Sequence, residues 1–316
     1  MQAKYRHSLP QLNSSNLLLT EGGIETTLVY KKGFHLPEFA SGPLLLTPEG
    51  TKALQDCHAS YIDIALRHKR GIIVETQTWR SSRIWCDKLG FSENEMMKLN
   101  RRAVAFLEDV RREYETDTTP IVVSGNLGPL SDAYHNSTQR LSVQDMIAVY
   151  RDQVQALCEA GVDMLSIMTL ADTTEAIAAV QLAKEFGIQI LVSFSVETDG
   201  KLLNGVTLED AIRTVDKATE SYAAYFGINC AHPSHFHPTL RMMDPSVLSR
   251  IGEIRANASR RSHQELDNSE FLDRGDPTDL GRSFKDLIQL LPGLKVVGGC
   301  CGTDPEHVEA IASNVC

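Results

Sequence analysis

Short apolar runs alternate with longer stretches in which apolar side chains recur every three or four residues, from one end of the chain to the other. Residues 17–20, 71–75, 121–124, 163–168, 188–194, 225–229, 251–256 and 294–297 read as strands. Between and after them, 48–68, 93–114, 142–160, 173–186, 207–219, 279–291 and 305–312 read as amphipathic helices. The sixth strand is followed by AHPSHFHP at 231–238, whose prolines predict a turning loop, and the seventh by a long polar stretch. Eight consecutive strand-led units predict an α/β chain folded as one (β/α)8 TIM barrel rather than an open doubly wound sheet. The expected layout is one domain over 1–316, with an N-terminal extension at 1–16 and a long loop at 257–278. Such a barrel places its chemistry just beyond the C-terminal ends of the strands.

Composition narrows the function classes. With 42% apolar and 23% charged residues the chain can bury a large core. A net charge of -10, with basic pairs scattered rather than clustered, argues against a nucleic-acid partner. The first residues lack an apolar signal core and no apolar run reaches membrane length, so a cytoplasmic protein without a membrane partner is expected. No Gly-rich dinucleotide or phosphate-binding pattern follows any strand. A homo-oligomer is compatible with the sequence.

Seven cysteines, two of them adjacent, do not look like a disulfide framework. Cys57, Cys86 and Cys158 fall in helical stretches and read as small buried hydrophobes, and Cys316 is terminal. Cys230 follows the sixth strand, whereas Cys300 and Cys301 follow the eighth, so all three face one rim of the barrel. Three thiolates suit Zn²⁺ and leave its fourth position open for a reactant, a catalytic arrangement. Gly298, Gly299 and Gly302 would let the backbone turn sharply around the pair. A closed structural site completed by His232, His235 or His237 is the competing arrangement; otherwise these histidines are candidates for supporting the ligands. With three thiolates the metal is largely neutralised, which favours activating a substrate thiol over activating water.

GINC at 227–230 and GGCCGTDPEH at 298–307 resemble the two zinc-ligand signatures of the homocysteine S-methyltransferase family. TEGGIETTL at 20–28, VETQTW at 74–79, SGNLGP at 124–129 and SFSVETDGKLLNG at 193–205 extend that resemblance over nearly the whole chain. The family fold is a (β/α)8 barrel. By this likeness Cys230, Cys300 and Cys301 would be both the zinc ligands and the catalytic residues. Glu21 and the backbone of Gly22 would hold the amino acid's polar end. Glu75, Thr76 and Thr78 would line the donor or acceptor side, with Asn229 and Asn257 supporting the rim.

Three departures stand out. Glu21 lies where the family usually has Asp. SIMTLAD at 166–172 puts Met168 or Thr169 where many members carry a glutamate for the amino group of homocysteine, and methionine cannot pair with an ammonium. Either another acid, such as Glu21, Asp172 or Glu197, replaces it, or the acceptor is a different thiol. RANAS at 255–259 lacks the proline that often precedes the asparagine, and the loop after it reads equally as a lid, a partner surface or a solvated linker. The resemblance implies a zinc-dependent methyltransferase whose partners are a small-molecule thiol and a methyl donor. An onium donor resembling S-methylmethionine would transfer its methyl to a thiolate held on zinc, homocysteine becoming methionine. The alternatives are a corrinoid-dependent methyltransferase module and a non-catalytic zinc or thiol sensor.

Overall fold

The computed structural model describes residues 3–131, 141–267, 269 and 271–316. Eight parallel strands close into a barrel in sequence order. They are β1 (Leu18–Thr20), β2 (Ile72–Glu75), β3 (Ile121–Leu127), β4 (Met164–Leu170), β5 (Ile190–Phe194), β6 (Tyr225–Asn229), β7 (Ile251–Ala256) and β8 (Val296–Gly299). Closure is made by β1 against β8, with Leu18 opposite Val296 and Leu19 opposite Val297. The barrel helices are α1 (Pro48–His68), α2 (Glu93–Tyr114), α3 (Val143–Ala160), α4 (Thr173–Glu185), α5 (Leu208–Thr219), α6 (Pro233–Leu240), α7 (Pro277–Leu290) and α8 (Pro305–Val315). The (β/α)8 barrel expected from the repeat is therefore the fold.

Strand periodicity of two divides the apolar residues between two cores. One set, including Leu19, Ile72, Val74, Val123, Ile167, Val192, Ile228 and Ile254, faces the helices. The alternating set, Leu18, Ile73, Val122, Met164, Leu191, Tyr225 and Val296, fills the lower barrel interior. Leu9 joins this inner set from the N-terminal segment, and Gln11 beside it donates to Tyr225 Oη at 3.3 Å and to Met164 Sδ at 3.2 Å. Residues before β1 thus plug the floor, which directs substrate access to the opposite mouth.

Local chemistry sets the helix starts. Ser92 and Ser142 open α2 and α3 with reciprocal capping boxes to Glu95 and Asp145, and Asp276 caps α7 before Pro277. The 231–238 segment departs from the loop expected of it. Pro233 occupies the first turn of α6, where a missing N–H costs nothing, and His232 caps it by accepting from Ser234 N–H at 3.1 Å. Pro233 thus starts a helix, and Pro238 is carried within it. Among the described residues no helix is long and apolar enough to cross a membrane.

Candidate active site

Strand β7 lies between the two cysteine-bearing strands and sets their positions. The carbonyl of Arg255 accepts from Cys230 N–H at 3.2 Å, and that of Ala256 accepts from Cys300 N–H at 2.8 Å. Cys230 has a left-handed backbone, φ 54°. Its carbonyl accepts from Asn257 Nδ2 at 3.0 Å and also contacts His263 Nε2, so two side chains hold the turned peptide. His263 comes from the helix His263–Asp267 in the stretch after β7, and its other ring nitrogen lies 3.2 Å from Glu197 beyond β5. Sequence reasoning missed His263.

The sulfurs of Cys230, Cys300 and Cys301 all lie within 4.8 Å of one another. Cys230 and Cys300 are in direct contact, with the pair standing as a disulfide across a Cα–Cα distance of 5.4 Å. No such bond was expected from the sequence; it arises because strands one apart in the barrel aim both side chains at one point. Asn229 Nδ2 approaches Cys230 Sγ at 3.4 Å and Cys300 Sγ at 4.0 Å. His232 and His235 serve elsewhere, His232 as a cap and His235 against the carbonyl of Arg260 at 2.8 Å. Among the described residues, no other His, Cys, Asp or Glu joins the three-sulfur group.

The glycines of GGCCG act differently from the sharp turn anticipated at all three. Gly302 does adopt φ 78°. Gly298 instead allows close approach to β1: a Cβ there would lie 2.8 Å from Thr20 Cγ2 and 2.9 Å from Thr20 O. Three further cysteines are inert by environment. Burial pushes the Cys57 and Cys158 thiols up to about 11 and that of Cys86 to about 12.

A charged cluster lies in the barrel mouth beside the sulfurs. Glu21 Oε1 is 2.7 Å from His58 Nδ1 of α1, and the Glu21 carboxylate accepts from Glu75 N–H at 3.2 and 3.3 Å. Gln77 Nε2 lies 2.7 Å from the other His58 nitrogen and donates to the Glu75 carbonyl at 3.0 Å. Ser166 Oγ donates to Glu75 Oε2 at 2.7 Å. Burial raises the Glu75 carboxyl above its ordinary range even though Arg255 and Ser166 pull it down. Glu253, deeper on β7, is pushed up to about 8 by burial, against the pull of Arg255. Glu253 and Arg255 were also missed, although two charges alternating through the apolar run IGEIRA were a readable signal of an inward polar face.

Other expected contact residues also bond or pack within the protein. Thr76 and Thr78 share a 2.6 Å hydroxyl contact; Thr78 also donates to the Asn126 carbonyl and Thr76 accepts from Asn126 N–H. Gly22 packs so closely that a Cβ would lie 2.7 Å from Tyr61 Oη. Met168 is buried and packs with the inner apolar set. Thr169, next to it, interrupts the β4 to β5 register.

The homocysteine S-methyltransferase family profile matches residues 18–315. The chain belongs to the homocysteine S-methyltransferase family. It is therefore a methyltransferase. Similar relatives of this methyltransferase include homocysteine S-methyltransferase YbgG of Bacillus subtilis, 25% identical over 96% of this chain and 95% of the relative. Homocysteine S-methyltransferase 1 of Arabidopsis thaliana is 24% identical, over 94% and 93%. Among solved structures, the homocysteine methyltransferase MmuM from Escherichia coli superposes with a TM-score of 0.76 in its oxidized form and 0.74 in its metallated form. Identity is 20% in both, over 96% of this chain and 97% of MmuM.

Proposed function

We propose that this methyltransferase is zinc-dependent and moves a methyl group from an onium donor resembling S-methylmethionine to the thiol of homocysteine, yielding methionine. The observation that carries the proposal is the convergence of three sulfurs, from two separate strands, within 4.8 Å. Zinc favours thiolate ligands, and three of them would leave a fourth position for a reactant. The donor set fits the metal chemically, being soft and anionic when reduced, with the Asn229 amide donor beside two of the sulfurs.

Cys230, Cys300 and Cys301 would hold the ion, and for that the Cys230–Cys300 pair must be in its dithiol form. When bound, zinc lowers the pKa of an acceptor thiol so that it is anionic at neutral pH. Glu21 and Gly22 would hold the polar end of the amino acid, with Glu75, Thr76 and Thr78 shaping the donor or acceptor side. Transfer forms a bond from acceptor sulfur to methyl carbon and breaks the bond from that carbon to the donor's cationic sulfur. The donor leaves as a neutral thioether, and the acceptor's proton has already gone to solvent. Loss of opposite charges as the two meet is favoured in a mouth shielded from water.

The test is direct: reduced, zinc-loaded protein with homocysteine and S-methylmethionine should form two equivalents of methionine per turnover. Cys230→Ser should abolish this and lower the bound zinc. Absence of methylated thiol from any sulfonium or ammonium donor would overturn the reading.

A further inference from the structure

Arg255 puts a guanidinium inside the barrel mouth. Its backbone is bonded to Cys230, and its strand partners are Asn229 on β6 and Gly298 on β8, so it rises between the cysteine-bearing strands. Its side chain is only 11% exposed and reaches across β8 toward β1 and β2. There it makes three long contacts: Nε to the Gly299 carbonyl at 3.4 Å, Nη1 to Glu75 Oε1 at 3.5 Å and Nη2 to Glu21 Oε2 at 3.5 Å. Each acid has a closer partner elsewhere, His58 for Glu21 and Ser166 for Glu75, both at 2.7 Å. A guanidinium has five N–H donors in a planar fork, and a fork held only at the outer limit of hydrogen bonding keeps capacity for a carboxylate.

On β4, where an amino-group ligand was expected, Met168 and Thr169 are buried and neither carries a charge. On the β1, β2 and β7 side, by contrast, a cation is flanked by the carboxylates of Glu21 and Glu75, with Glu253 and Glu25 also acting on it. That pattern complements a zwitterion. A carboxylate alone would be repelled by Glu21 and Glu75, and an ammonium alone by Arg255, whereas an α-amino-acid head satisfies both at once.

We propose that Arg255 binds the carboxylate of the acceptor and restricts this enzyme to α-amino-acid thiols. The proposal rests on the reading that a thiol is the methyl acceptor. The ammonium then lies toward Glu21 and Glu75 rather than toward β4.

The test compares homocysteine with 3-aminopropane-1-thiol, which lacks only the carboxylate. In Arg255→Met, kcat/KM for homocysteine should fall about 10- to 100-fold, mainly through KM, the scale of one lost charge-assisted hydrogen-bond pair. The carboxylate-free thiol should lose nothing and gain up to about 3-fold, since it never made that contact and is relieved of the guanidinium's repulsion. Arg255→Lys should recover part of the loss, because it keeps the charge without the fork. A parallel calorimetric titration with methionine and 3-(methylthio)propylamine reads the same selectivity without turnover. Equal losses on both thiols would show that Arg255 only neutralises the buried acids, and no loss on either would show that it is uninvolved; both overturn the proposal. Carboxylate-selective binding that vanishes in Arg255→Met, with no methyl transfer by the parent enzyme, would uphold Arg255 and sink the methyl-transfer reading instead.

Discussion

Asn229 grips Thr169 at both ends of its amide: its side-chain oxygen accepts from Thr169 N–H at 2.9 Å, and its Nδ2 donates to Thr169 Oγ1 at 2.8 Å. Thr169 has φ 63°, a left-handed conformation that costs a β-branched residue about 1–2 kcal/mol. The clamp offsets that cost. It also fixes the amide whose Nδ2 approaches the cysteine sulfurs, so one side chain joins the irregular end of β4 to the sulfur cluster.

Replacing Asn229 with Ala should therefore act twice. Loss of the two bonds to Thr169 and of the 2.8 Å bond from Ser193 should destabilise the fold by about 2–3 kcal/mol. Zinc retained through dialysis should also fall, because the sulfurs lose their amide neighbour. Thermal unfolding and metal analysis of one preparation check both, and a variant matching the parent in each would refute the clamp.

Stability should decline as pH rises from about 6.5 to 8. Glu253, fully buried on β7, is pushed by burial up to about 8, and Glu175 up to about 7, from an ordinary 4.5. A raised acid binds its proton more tightly in the folded state, so its contribution is greatest at low pH and is lost as pH climbs through the folded value. Glu253→Gln, which keeps the shape of the neutral acid, should flatten part of the slope in urea titrations at pH 6.5, 7.2 and 8. An unchanged slope would mean that Glu253 is ionised throughout.

The floor of the barrel should be separable from its mouth. Leu9→Ala removes a nearly fully buried side chain from the inner apolar set and should cost about 2–4 kcal/mol in unfolding free energy. Its kcat at 25 °C should stay near that of the parent, because the plug lies at the end remote from the cysteines. A fall in kcat larger than the folded fraction explains would show that the floor governs the mouth.

Much of this was legible in the residues. Alternation of apolar runs and amphipathic stretches predicted eight units because the barrel repeats one local solution, and local periodicity survives in sequence. Cys230, Cys300 and Cys301 were legible for a related reason: a strand end in a barrel always faces the same rim. Thr76 and Thr78 were named from their place at a strand end, whereas the bonds of their hydroxyls to the Asn126 backbone on β3 involve a partner no spacing in β2 discloses. The histidines of AHPSHFHP looked available, yet an N-cap and a carbonyl claim His232 and His235.

The order of strands, the buried and exposed faces of most helices, and the rim that carries the sulfurs were determined by the sequence alone, since each follows from periods of two or 3.6 within one segment. The tertiary structure decided what meets what across the barrel: Asn229 with Thr169, His263 with the Cys230 carbonyl, and Arg255 with acids from β1 and β2. Those pairings depend on where strand closure brings distant side chains, and on burial that changes how strongly their charges act. Neither distance nor burial is a local property of the chain.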